Sequence, residues 1–142
     1  MRGAWAGVAA TVLAGCSSAP PPYEPPPGQL VAGTAQLTVN GQDLGSTESV
    51  RCTPAGPLMT IETGDGTSGA SALVSAAEGL SVRQVGINDL GGFTGSYNAG
   101  LGGEASVSMT GRTYEITGTA DGFATDNPSF RTSGTFTIAV SC

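Results

Sequence analysis

No histidine and no lysine occur in this chain of 142 residues. Their absence removes whole chemistries. Ser-His-Asp and Cys-His nucleophilic sites lose their general base, Schiff-base lysines are excluded, and imidazole metal centres cannot form. No enzymatic activity is expected. Cations are scarce in general: five basic residues, all arginine, face eleven acids, for a net charge of −6. Arg51, Arg83, Arg112 and Arg131 stand singly. Nucleic-acid surfaces need clustered cations to neutralise phosphates, so no nucleic-acid partner is expected. Aromatics make up only 6% of the chain, which predicts a thin core. A long apolar run is missing too. Ala4 to Leu13 is mostly Ala, Val and Leu, and falls short of the ~20 residues a membrane-spanning helix needs.

What is present starts at the N-terminus. Arg2 supplies a positive charge, the apolar segment follows, and Leu13-Ala14-Gly15-Cys16 closes it. This tetrapeptide resembles the lipobox of bacterial lipoproteins. The resemblance implies that Cys16 is thioether-linked to diacylglycerol, that cleavage follows Gly15, and that the new amine is acylated. The chemistry is coherent. Small residues let a peptidase reach the bond, a thiol is the best nucleophile for alkylation, and two or more acyl chains anchor stably. The alternative is a generic secretory signal with an incidental cysteine. Cleavage removes Arg2, leaving the mature chain near −7.

Pro20-Pro21-Pro22-Tyr23-Glu24-Pro25-Pro26-Pro27 follows. It favours polyproline II and spans about 25 Å as a semi-rigid spacer. A ligand for a proline-reading domain is the other use of such a segment, and those readers are mainly intracellular. The organisation expected is therefore 1–15 signal peptide, 16–33 lipidated cysteine and Pro-rich tether, and 34–142 β domain. The protein is placed outside the cytoplasm, held to the envelope membrane through Cys16.

From Thr34 onward, alternation of period two predicts strands: Leu37/Val39, Val50/Cys52, Met59/Ile61, Ala105/Val107/Met109, Tyr114/Ile116, and Phe136/Ile138/Val140/Cys142. Thr and Ser occupy the opposite face of the last strand, the pattern of an antiparallel sheet covered on one side. Asn40-Gly41, Gly91-Gly92, Thr110-Gly111 and Asp121-Gly122 are among the turn signals between strands. The fold class is all-β: an antiparallel β-sandwich or strongly curved sheet of about eight short strands. Ser68 to Ala77 leaves room for one short helix, although a strand paired with Leu80 to Ile87 suits it better. The apolar phase slips between Val82 and Val85, which predicts a bulge. The large aromatics available to the core are Phe93, Tyr97, Tyr114, Phe123, Phe130 and Phe136.

Cys52 and Cys142 each fall in phase with the buried face of their strands. With Cys16 consumed by lipid and the compartment oxidising, they are expected to form one disulfide. Free buried thiols are the alternative.

Several motifs invite chemistry. Gly64-Asp65-Gly66-Thr67-Ser68-Gly69 spells G-x-G-x-x-G, yet its acid repels a pyrophosphate and no βαβ unit follows, so it reads as a hairpin loop. Asp121, Asp126 and Asn127 offer oxygen ligands for calcium, but their spacing is not that of an EF-hand and their dipeptides are ordinary turns. No metal or cofactor is expected. A carboxylate pair for glycoside hydrolysis is not selected by any spacing. Phe93, Tyr97 and Leu101 could rim a binding surface, while the even separation of the two aromatics favours core positions on a strand.

The lipobox, the short tether, "VNGQDLGSTESVRC", "ALVSAAEGLSVRQVGI", "GEASVSMTGRTYEITGTADGF" and the terminal "FTIAVSC" together resemble the nineteen-kilodalton lipoprotein antigen family of mycobacteria. The similarity covers about Val39 to Cys142. It implies a non-catalytic cell-envelope lipoprotein, with recognition by host Toll-like receptors through the acyl chains and adhesin roles for some members. The family tether is Thr-rich and O-mannosylated; this one is Pro-rich, with only Ser17 and Ser18 as aliphatic hydroxyls before Gly28. The function expected is display and contact, with a host receptor or adhesion as the role. The alternative is a carrier that encloses an acyl chain or glycolipid in an apolar pocket of the β domain.

Overall fold

The computed structural model describes residues 24–142, together with Gly3 and Gly15. The leader, Cys16 and Pro20 to Tyr23 lie outside the described residues. Ten strands and no helix make up the described domain. They are β1 (Ala35–Val39), β2 (Gln42–Thr47), β3 (Val50–Ala55), β4 (Leu58–Gly64), β5 (Gly69–Ser75), β6 (Ser81–Leu90), β7 (Phe93–Asn98), β8 (Ala105–Thr110), β9 (Thr113–Ala124) and β10 (Asn127–Ser141). All pair antiparallel in one sheet of order β2-β1-β10-β9-β7-β6-β5-β4-β3, with β8 beside β9. The sheet curls into a nearly closed barrel.

Local chemistry explains the hairpins. Asn40 and Gly41 both take positive φ (53° and 77°) in the β1–β2 turn, the conformation an Asn-Gly hairpin favours. The Asn40 side chain also accepts a bond from the Thr135 amide (3.0 Å), pinning this turn to β10. Ser68 to Ala77 contributes strand β5, paired with β6. The expected bulge is present: Gln84 pairs with Leu73 and Val82 with Val74, leaving Arg83 as the extra residue. Both Val82 and Val85 thereby stay buried.

Two more strands form than the alternation predicted. β2 has no apolar period, since only Leu44 of its residues is apolar and it is half-buried. Its hydrogen bonds to β1 hold it. β7 and β8 run the same way along β9, separated by the loop 99–104: Ser96 pairs with Asp121, and Ala105 with Gly118. β9 and β10 are long enough to serve both halves of the wall.

The core is packed with small and branched side chains. Ile61, Ile116, Val74, Val85 and Val140 are its largest fully buried members. Phe93 fits because glycine faces it twice. A Cβ on Gly95 or Gly134 would stand 2.7 or 2.8 Å from the Phe93 ring. No buried side-chain nitrogen or oxygen among the described residues lacks a partner. Phe136, Tyr114 and Phe93 are core residues as expected, whereas Phe130 is 70% exposed. The cause is register: between Asn127 and Thr132 β10 slips against β9, and Phe130 lies in that irregular stretch.

Gly122 marks where β9 presses on β7. A Cβ there would overlap the Thr94 carbonyl and the backbone of Gly95. Gly122→Ala is expected to cost about 1–3 kcal/mol, the range for overpacking, read as a lower urea midpoint with an unchanged slope.

Cys52 and Cys142 are joined, with their Cα atoms 5.8 Å apart. The bond ties edge strand β3 to the end of β10, across the seam that the hydrogen bonds leave open.

Candidate functional site

The outward face carries one polar row. Arg51, Glu62, Ser71, Gly86, Ser96, Asp121 and Ser133 are successive cross-strand neighbours from β3 to β10. Two surface depressions lie along it. The larger, about 670 Å³, includes Glu48, Arg51, Glu62 and Asp65 with Ser71 and Gly86. The smaller, about 410 Å³, is lined by Asp121, Arg131, Thr132 and Ser133. Both are open to solvent. Arg51 and Glu62 approach to 3.9 Å with both side chains largely exposed, a geometry that contributes at most about 1 kcal/mol.

The G-x-G-x-x-G stretch is the β4–β5 hairpin loop. The Asp65 carboxylate accepts hydrogen bonds from the Thr67 amide (2.8 Å), the Thr67 hydroxyl (2.7 Å) and the Ser68 amide (2.9 Å). These bonds, the Thr67 hydroxyl first, hold its pKa below the ordinary aspartate value. A general acid needs the opposite shift. The role is structural: the side chain closes the loop on itself. A depressed folded-state pKa contributes order above the ordinary carboxylate value and loses it as pH falls through the folded value. Amide exchange at Thr67 and Ser68 is therefore expected to accelerate, relative to neighbouring amides, only below the usual aspartate range. Asp65→Ala should show that faster exchange at neutral pH.

The structure separates the other candidates. Asp121 faces outward in mid-β9, while Asp126 sits in the β9–β10 turn and Asn127 opens β10. Among the described residues no three His, Cys, Asp or Glu side chains converge on a point that could hold a metal ion. Phe93 is core and Tyr97 is half-buried on β7, while Leu101, in the loop 99–104, is 80% exposed. The rim and core readings thus divide between these residues.

Residues just before β1 are more engaged than a tether reading suggests. The Leu30 amide donates to the Thr113 hydroxyl (3.0 Å). Gly33 donates to the Ser141 carbonyl and Ser141 returns a bond to Thr34. Gly28 lies against Thr110, and the Gln29 side chain lies over Gly111. The signal in the sequence was Leu30-Val31, an apolar pair after a run of proline.

The comparison with known proteins meets this geometry at the same boundary. A profile of the Mycobacterium 19 kDa lipoprotein antigen matches residues 28–142. The chain belongs to this family. Lipoprotein LpqH of Mycobacterium avium is 37% identical over 112 residues, covering 78% of this chain and 69% of that one. Lipoprotein LpqH of Mycobacterium tuberculosis strain H37Rv is 34% identical over 112 residues, 78% of this chain and 70% of that one. A lipoprotein-named protein of Mycobacterium indicus pranii is 36% identical over 140 residues, 98% of this chain and 95% of that one. The 19 kDa antigen family brings with it a cell-envelope lipoprotein role. Its description names an antigen and no reaction. The stretches that resembled it form the wall of the barrel: Val50-Arg51-Cys52 lies in the β3 edge, Tyr114 to Ala120 in β9, and the terminal strand closes on Cys142.

Proposed function

We propose that this chain is an anchored, non-catalytic surface module. A diacylglycerol on Cys16 holds it to the envelope membrane, the Pro-rich tether spaces it, and the β barrel acts by display and contact with a host receptor or an adhesion partner. The observation that supports display rather than a carrier is the continuous buried core. The inward faces of β1, β5, β6, β9 and β10 meet in one continuous cluster of buried apolar side chains, and both depressions open outward, the larger mixing Val50, Ala70 and Ile87 with Arg51, Glu62 and Asp65, the smaller lined by Asp121, Arg131, Thr132 and Ser133. An acyl carrier needs an enclosed apolar cavity of roughly 300 Å³ or more.

Native mass spectrometry of the chain purified from its own membrane tests this. The expected mass is the mature polypeptide plus the acyl groups on Cys16 and no further lipid. One additional lipid per chain, retained by a Cys16→Ala form as well, would establish the carrier instead.

A further inference from the structure

The two ends of the barrel differ, and the difference coincides with where the tether leaves. Gly28 to Gly33 dock beside the β8–β9 turn and the last residues of β10. That end also holds the β5–β6 turn, because β5 runs towards it and Ser75 pairs with Ser81. Val31 (43% exposed), Met109 (43%) and Leu80 (38%) all lie there. Loop 99–104, with Leu101, leaves the wall on the same half, since Asn98 pairs with Gln84 near the start of β6. Phe130 alone among the exposed large hydrophobics lies towards the other end.

Charge follows the same division. The near end balances Arg112 in the β8–β9 turn and Arg83 at the start of β6 against Glu78 between β5 and β6 and Glu115 at the start of β9. The far end carries Asp65 in the β4–β5 loop, Asp89 at the close of β6 and Asp126 in the β9–β10 turn, against the single Arg131 in the irregular start of β10. Anionic headgroups attract exposed arginines and repel the far turns. Partly exposed aliphatic side chains beside an arginine suit the interfacial layer of a bilayer.

We infer that the near end, centred on Val31, Met109 and Arg112, is a membrane-docking surface that seats the barrel end-on against anionic lipid and turns the β1–β2, β4–β5, β6–β7 and β9–β10 turns outward. The inference rests on anchoring through Cys16. Between Cys16 and Gly28 the chain reaches at most about 37 Å as polyproline II. The docked segment is thus confined close to the bilayer from which it emerges, and a weak patch is enough at such an effective concentration. This orientation selects which residues a partner meets: the acidic far turns and Phe130, never Arg112.

The test uses the full lipidated chain in phosphatidylcholine–phosphatidylglycerol nanodiscs doped with a gadolinium-chelating lipid. Paramagnetic broadening of each amide reports its approach to the headgroups. Residues 31, 78–83 and 109–112 are expected to broaden several-fold more than residues 40–41, 65–68 and 125–127. A Met109→Glu/Arg112→Glu double variant, with its remaining amide spectrum unchanged, is expected to lose that bias. Equal broadening of both ends, or stronger broadening of the far end, overturns the inference. So does a bias that survives the double variant, because the tether alone would then orient the barrel. The mass of the same sample separates the two proposals: a chain without acyl groups on Cys16 sinks the anchoring reading and the orientation with it, whereas a lipidated chain lacking end preference sinks the orientation alone.

Discussion

With Cys16 replaced by alanine, the chain is expected to leave the membrane and appear in the aqueous phase. A single acyl chain binds a bilayer with a constant of only about 10⁴ M⁻¹, and a second chain makes attachment stable. On the proposed anchoring, removing the thiol removes the site of diacylglycerol transfer, so the loss is all or nothing in character, on the order of 100-fold or more in the membrane-bound fraction. Among the described residues no helix is long and apolar enough to cross a membrane, and the near-end patch offers only partly exposed side chains. The barrel itself should be indifferent to the change, because its core, its described hydrogen bonds and its disulfide are all assembled from residue 26 onward. Detergent phase partitioning read beside a thermal melt checks both halves. A Cys16→Ala chain that stays with the membrane would remove the basis for anchoring.

The second large effect is on stability. Replacing Cys52 and Cys142 together by alanine is expected to lower unfolding free energy by about 4–5 kcal/mol, the chain-entropy value for a loop of this length. The bridge closes a separation of 90 residues, nearly the whole domain. Small domains typically hold about 5–15 kcal/mol in total, so the variant sits close to the unfolding threshold. With a urea slope of about 1–3 kcal/mol/M, the midpoint should fall by roughly 2 M. The loss should also be uneven in space. β3 pairs on one side only, with β4, and Pro54 lacks an amide to donate. Without the tie to β10, exchange in β3 should quicken before that in β9 and β10. A loss of unfolding free energy under about 1 kcal/mol would mean that hydrogen bonds and core packing close the seam unaided.

The conformity between sequence and structure is highest where one residue type has one physical use. Asn40-Gly41 turned because both positions need positive φ. Val82 and Val85 stayed inside because a bulge at Arg83 restored the phase. The two in-phase cysteines found each other because each already faced inward. The expectations fell short where the answer lay in another strand. β2 is polar and shows no period, and only the β1 edge beside it makes it a strand. Phe130 looked like core material by composition, and a register slip against β9 turned it to solvent. The acids spread along the chain gave no pair to favour; folding distributes them over turns and the outer face.

By itself, then, the sequence determined the class of the protein: the missing His and Lys, the period-two strands and the in-phase cysteines are local facts, each fixed by the chemistry of a few neighbouring residues. Only the tertiary structure decided how many strands form, that they curl into a nearly closed barrel around one buried apolar cluster, and which of its ends lies beside residues 28–33. Alternation reports which face of a strand is buried. It carries no information on how far one strand slides past a distant partner, and that offset is set by bulges, glycine contacts and the fit of side chains across the whole wall.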